Sequence, residues 1–221
     1  VRIYAFLTEF DATLYLDTSG EALFKRGWRM DKGRAPLREN LAAGLVMLSG
    51  WQPNQALLDP MCGSGTIIIE AGLMAANIPP GMNRSFAFER YRGLDKSLWQ
   101  KIKNDVKIDK TPRALYASDI SAHAVNDMAN NLQRAGLPFP VAFEQNNALS
   151  VMPPATCGVM VCNPPYGERI DVTTADETAV FFKQWADHLK AHYAGWNAYI
   201  LTSDRDTPKY MRLSEIGRAH V

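Results

Sequence analysis

Apolar and polar positions along the chain follow two periods, one of about two residues and one of about 3.6. Tyr4, Phe6 and Thr13-Leu14-Tyr15-Leu16 read as strand, Asp17-Thr18-Ser19-Gly20-Glu21 as a turn cluster, and Leu23-Phe24 as a resumed apolar run. Residues 1–30 are therefore expected to be β. Leu37, Leu41, Leu45 and Leu48 recur at helical spacing, with Pro36 suited to a first turn and Ser49-Gly50 to a stop, which predicts a helix over about 36–49. Leu57–Asp59 is a short apolar run ending in an acid, followed by a helix over 66–77 that is apolar nearly all round except at Glu70 and should be buried.

A long connection, 78–113, comes next. Phe86, Phe88 and Tyr91 in it are expected to pack, and Asp95 to cap a short helix containing Leu98, Trp99 and Ile102 that ends at Thr111-Pro112. Strands follow at 114–119, 141–145, 158–162 and 197–202, each of the first three ending in an acid or an amide-rich turn. Between them lie a helix capped by Ser121 and closed by Gly136, with Val125, Met128, Leu132 and Ala135 on one face, and a helix over 176–193 with Phe182, Trp185, Leu189 and Tyr193 in line. This alternation predicts an α/β fold, a mostly parallel sheet with helices on both faces.

Composition adds exclusions. The 221 residues are 47% hydrophobic and 21% charged, enough for one sizeable core. No apolar run approaches the ~20 residues of a membrane span. Cys62, Cys157 and Cys162 have neither disulfide-framework nor metal-ligand spacing, which fits reduced thiols in the cytoplasm and no metal site. His188 and His192 share helical spacing and are expected on a solvated face. The net charge of +1 excludes a global nucleic-acid signature, so RNA binding must rest on a local patch. Lys25, Arg26, Arg29, Lys32, Arg34 and Arg38, opposed only by Asp31, offer one, and a solvated linker face is the competing reading. Arg169 could meet a phosphate or form a surface salt bridge. Residues 215–221 have no periodicity and look like one reading frame of a sequencing adapter, so they are set aside as a non-native tail.

The candidate chemistry lies at the strand ends. Asp59-Pro60-Met61-Cys62-Gly63-Ser64-Gly65-Thr66 is a strand, glycine turn and helix start, the way open α/β sheets build nucleotide-type sites. The third glycine of a dinucleotide turn is replaced by Ile68, and no Gly-Lys-Ser/Thr phosphate loop is present. The turn therefore suits a nucleoside cofactor without phosphates, and the strand-ending Asp119 suits two ribose hydroxyls.

Asn163-Pro164-Pro165-Tyr166 resembles the motif of S-adenosylmethionine-dependent methyltransferases that act on exocyclic amines. An aryl amine is a poor nucleophile because its lone pair is delocalised. The Asn163 side-chain oxygen and the Pro164 carbonyl can accept both amine hydrogens and aim the lone pair at the methyl group. Pro165 stiffens the turn, and Tyr166 offers a ring for an extruded base. A thiol nucleophile is not at the strand end, which sets covalent cytosine-C5 chemistry aside.

The likeness extends upstream through Asp17–Glu21, Lys25-Arg26-Gly27-Trp28-Arg29, Ala35–Ala42 and Ser49-Gly50-Trp51. With these segments the chain resembles the THUMP-associated RNA methylase family, from about residue 10 to about residue 213. The resemblance implies a Rossmann-like class I methyltransferase using S-adenosylmethionine and methylating N2 of a guanine in large-subunit (23S) ribosomal RNA. It implies that Asp59, Cys62, Gly63, Ser64 and Gly65 hold the methionine part of the cofactor, that Asp119 binds its ribose, and that Asn163–Tyr166 form the amine site. Asn147 stands where relatives often have an Asp near the adenine amine. By the same resemblance residues 1–50 are a linker segment after an upstream THUMP RNA-binding domain, and residues 51–214 a methyltransferase domain lacking its final β-hairpin. Such a fragment is expected to be marginally stable or aggregation-prone. Adenine-amine methylation of DNA or RNA, methylation of a transfer-RNA guanine or of a protein glutamine, and a catalytically silent RNA-binding scaffold remain alternatives. Oligomeric state is left open.

Overall fold

The structure, a computed structural model, describes residues 2–30, 37–165, 175–214 and 217. Its centre is a five-stranded, wholly parallel sheet built from β3 (Ala56–Asp59), β4 (Leu115–Asp119), β5 (Ala142–Gln145), β6 (Gly158–Cys162) and β7 (Trp196–Ile200), in the order β5-β4-β3-β6-β7. A separate antiparallel hairpin, β1 (Ile3–Leu7) with β2 (Ala12–Leu16), precedes it. The helices are α1 (Glu39–Leu48), α2 (Thr66–Ala75), α3 (Lys96–Asn104), α4 (Ala122–Ala135), α5 (Ala175–His192) and α6 (Thr207–Met211).

Side-chain alternation on β3 and β6 sorts the core into two layers, because successive residues of a strand point to opposite faces. Leu57, Val159 and Val161 pack with Ala42 and Val46 of α1, Ile67, Ile68 and Ala71 of α2 and Met128 of α4. Leu58, Met160 and Cys162 pack on the other face with Phe182, Trp185 and Leu189 of α5 and Met211 of α6. A sheet covered on both faces needs near-continuous apolar strands, which the fully buried Ala56–Asp59 run supplies. α2 is buried at nine of its ten positions, as its all-round apolar pattern requires. Trp28 is only 2% exposed and packs with Ile69, Leu73 and Ala135, so the segment ahead of residue 50 is part of the sheet's helix layer.

Three local expectations change. Leu23-Phe24 does not form a strand. Carbonyls on either side of it accept instead from the Arg84 guanidinium, which bonds Ala22 O at 2.9 Å and also Ser19, Glu21 and Lys25. The connection 78–113 thus docks on residues 17–27, with Tyr91 Oη also donating to Asp17 O at 3.0 Å. Its aromatic residues pack as Phe86, Phe88 and Trp99, with ring centroids 5.0–6.1 Å apart. Asp95 caps α3 through the N–H groups of Ser97 and Leu98, at 2.9 and 3.0 Å, but the helix ends at Asn104, well before Thr111. His188 is not on a solvated face: its Nε2 lies 2.7 Å from Val151 O and pins α5 to the loop after β5. Pro36, at the expected start of the first helix, lies outside the described residues.

The chain leaves β3 for β4 and β5 on one side and returns to β6 and β7 on the other. Strand order therefore reverses beside β3, and the carboxyl ends at such a reversal are where open parallel sheets form ligand crevices.

Candidate active site

The glycine turn sits at that reversal and is held from three directions. Its own backbone closes it, with Gly65 N–H donating to Cys62 O at 2.9 Å. From β4, Ser118 O accepts the Cys62 N–H at 3.0 Å and Asp119 Oδ2 accepts the Gly63 N–H at 2.8 Å. From α4, Asn131 Nδ2 donates to Ser64 O at 3.1 Å, and Met128 packs under Gly65. Gly65 has φ +84°, and a Cβ there would come within 2.6 Å of Met128 Cγ, so both conformation and space call for glycine. A Cβ built on Gly63 would meet nothing within 4 Å, which leaves open space beside the turn.

Two carboxylates flank that space. Asp59 is 1% exposed and accepts the Met61 N–H at 3.2 Å. Burial pushes its pKa up to about 8; the Met61 N–H works against the rise and the nearby Asp119 charge adds to it. Asp119 also accepts the Ser121 N–H at 2.9 Å through Oδ1, which joins the end of β4 to the start of α4. At the end of β5, Asn147 is exposed, and its Oδ1 accepts the Leu149 N–H at 3.0 Å.

At the end of β6, Pro164 is buried and Pro165 exposed. Asn163 Oδ1 is buried with no hydrogen-bond partner among the described residues. A buried acceptor without a donor is uncommon and costly, so it asks for one from outside. Tyr166 lies outside the described residues, as do Lys32, Arg34 and Arg169. The Cys62 and Cys162 thiols are buried, and burial pushes both well above the ordinary thiol range, which makes them poor nucleophiles.

The expected basic patch is divided between the inside and the outside of the protein, with Arg38 on the outside. Lys25 is exposed and pairs with Glu21. Arg26 turns inward, with Nη2 3.3 Å from Glu70 Oε2, and Arg29 lies 3.3 Å from Glu39 and donates to Thr66 Oγ1. Those two guanidiniums are thus engaged inside the protein and are not offered to RNA. Glu70 serves this pairing, and burial raises its pKa while Arg26 opposes the rise. A different stretch gathers open positive charge: residues 90–113 carry eight Lys or Arg and three Asp, a net +5 in a chain of +1. Arg90, Arg92, Lys96, Lys101, Lys107 and Lys110 there are exposed. A charge count in a moving window finds this stretch, whereas reading outward from the glycine motif passes over it. Asn131, 0% exposed, was also missed. Its signal was an amide three residues after Met128, on the apolar face of α4. Among the described residues no group of three or more His, Cys, Asp or Glu is arranged to hold a metal ion, and no helix is long and apolar enough to cross a membrane.

Known proteins share this fold. A crystal structure of SMU.472, a putative methyltransferase complexed with S-adenosylhomocysteine, superposes with a TM-score of 0.88 at 31% identity, over 97% of this chain and 56% of that one. A predicted N6-adenine-specific DNA methylase from Listeria monocytogenes superposes with a TM-score of 0.84 at 33% identity, over 95% of this chain and 55% of that one. The ribosomal RNA large subunit methyltransferase K/L of Psychromonas ingrahamii is 39% identical over 215 residues, which is 93% of this chain. The chain spans only 28% of that relative's length. The profile of the RMKL-like methyltransferase domain matches residues 26–221. With that match over most of its length, the chain belongs to the RMKL-like methyltransferase domain family.

Proposed function

We propose that this domain, as part of a longer protein, transfers a methyl group from S-adenosylmethionine to N2 of a guanine in large-subunit ribosomal RNA. The observation that carries the reading is Asn163 Oδ1, a buried acceptor unpartnered among the described residues at the carboxyl end of β6. Leaving such a group unpaired costs about 1–3 kcal/mol, which a substrate N–H offsets on binding. A guanine amine donates one hydrogen to this oxygen and the other to the Pro164 carbonyl. The nitrogen lone pair is then drawn out of the ring and fixed in direction, so catalysis is positioning and electrostatics.

The residues present fit the cofactor. The space beside Gly63 is open, the glycine turn has no phosphate-binding lysine, and the carboxyl groups of Asp119 and Asp59 lie beside the turn, the latter able to give up its proton to a bound cation. When bound, the cofactor supplies an electrophilic methyl on a sulfonium. Asp119 accepts from ribose hydroxyls with the oxygen lone pairs that its two backbone N–H partners leave free. The turn Cys62–Gly65 and Asp59 face the methionine part, and the exposed Asn147 is near the adenine. Tyr166 stacks on the extruded base. The relatives named for ribosomal RNA favour RNA as substrate, and the exposed cations of residues 90–113 give it a phosphate-facing surface; Lys25, Lys32, Arg34 and Arg169 are further candidates for phosphate contacts by sequence. The reaction takes place in the cytoplasm, where ribosomal RNA is made. Residues 51–214 form the catalytic unit.

Transfer of radiolabelled methyl to unmodified ribosomal RNA, followed by nucleoside digestion, is expected to give N2-methylguanosine. Asn163→Ala is expected to lower turnover at least a hundredfold while S-adenosylhomocysteine still binds with the parental Kd. Abolished binding with retained turnover would contradict the role given to Asn163. A second reading, methylation of an adenine amine, uses the same two acceptors and is favoured by the relative described as an adenine-specific DNA methylase. Label in N6-methyladenosine decides for it.

A further inference from the structure

Two arginines of one short segment grip the start of α2. Arg26 pairs with Glu70, and three residues later Arg29 donates through Nη2 to Thr66 Oγ1, one helical turn nearer the glycine turn. The Nε of Arg29 lies 3.3 Å from Glu39 Oε1, and both side chains are 6% exposed. Thr66 is 5% exposed, is the first residue of α2 and directly follows Gly65. Trp28, between the two arginines, anchors the segment against Ile69 and Leu73.

Helix stability does not account for this placement. The amino end of a helix carries partial positive charge, so a cation beside it opposes the macrodipole. Burying a guanidinium with its carboxylate is costly, and an apolar pair of similar volume commonly holds a fold equally well. What the arrangement does achieve is directional. The guanidinium fixes the Thr66 hydroxyl, Thr66 continues directly from Gly65, and Gly65 closes the turn on Cys62 O while its own carbonyl accepts from Ile69 N–H at 2.9 Å. Glu39 holds the guanidinium from α1.

We infer that Arg29, oriented by Glu39, is a positioning residue that sets the cofactor-binding geometry of the Cys62–Gly65 turn through the Thr66 hydroxyl. This rests on the cofactor site proposed above. The consequence is that cofactor affinity depends on how the segment around Trp28 is seated.

Calorimetric titration with S-adenosylhomocysteine tests it. Thr66→Val and Arg29→Met are each expected to raise Kd about tenfold, the loss of one charge-assisted hydrogen bond. The double variant is expected to bind no more weakly than the weaker single, because both changes remove one interaction. Thr66→Ser, which keeps the hydroxyl, is expected to restore parental Kd. Arg26→Met, in the same segment but off the turn, is expected to lower the melting temperature and leave Kd unchanged. In turnover assays Thr66→Val should raise KM for the methyl donor and leave kcat at saturation intact. Parental binding by Thr66→Val, or equal losses in Thr66→Ser and Thr66→Val, overturns the positioning role while leaving the proposed function standing. A parent protein that binds no S-adenosylhomocysteine overturns both. If Arg29→Met does not fold, the Thr66 pair decides the matter.

Discussion

Asp59 carries a proton near neutral pH in the free protein, since burial raises its pKa to about 8 from an ordinary 3.8. The native state therefore keeps a proton that the unfolded chain releases across this window. Stability should fall as pH rises from about 4 to about 8, and each unit of separation is worth about 1.4 kcal/mol. Asp59→Asn should flatten that slope in denaturant titrations at several pH values; an unchanged slope would show that Asp59 is ionised in the folded protein. A cationic cofactor prefers the carboxylate, so its Kd should drop as pH rises through 8. Asp59, Asp119 and Asn163 were legible as residues ending strands, because a short apolar run that stops in a polar side chain marks the end of a buried strand. Arg26 and Arg29 were not. In the sequence they stand beside Lys25, Lys32 and Arg34 as equal members of a basic run. Their inward turn depends on Glu70, which is far along the chain, and on Glu39, which α1 brings back over Arg29; both come near only through packing.

The strand–turn–helix unit of β3 and α2 was readable in full, because every part of it is local: a buried strand, two glycines, and a helix apolar on all sides. Even so, the reason for Gly65 is tertiary. Its φ of +84° is a local demand, whereas the 2.6 Å approach to Met128 comes from α4. Gly65→Ala should cost about 1–2 kcal/mol in left-handed strain alone, lowering the melting temperature by roughly 2–8 °C. A variant that melts with the parent would mean that the turn adopts another conformation. The connection 78–113 shows the opposite balance. Its aromatic residues and the Asp95 cap were visible, but its partner was not, since Arg84 finds its acceptors on backbone carbonyls of residues 19–25 that have no side-chain signature. Leu23-Phe24 is held in a non-strand conformation from both sides: Leu23 O accepts from Arg26 Nη1 at 2.8 Å, and the flanking carbonyls of Ala22 and Lys25 accept from Arg84.

Charge is unevenly spread over the molecule, with +5 on residues 90–113 and therefore −4 on the rest. An RNA partner would meet this face through phosphates, and counterion release would make its affinity salt-dependent. Reversing Lys96, Lys101 and Lys107 to Glu should weaken RNA binding and flatten the plot of log K against log salt by about 0.7–0.9 for each phosphate no longer neutralised. An unchanged slope would put the RNA on another face. Hydrophobic periodicity and the polar residues at strand ends were enough to determine an α/β sheet, its glycine turn and its amine-type strand end, because those signals arise within a few residues of one another. The order β5-β4-β3-β6-β7, the seating of Trp28 under α2 and the assignment of each arginine to an inner or outer role were decided by packing. Most of them depend on partners dozens of residues apart, and burial selects such partners only once the chain has closed around its core.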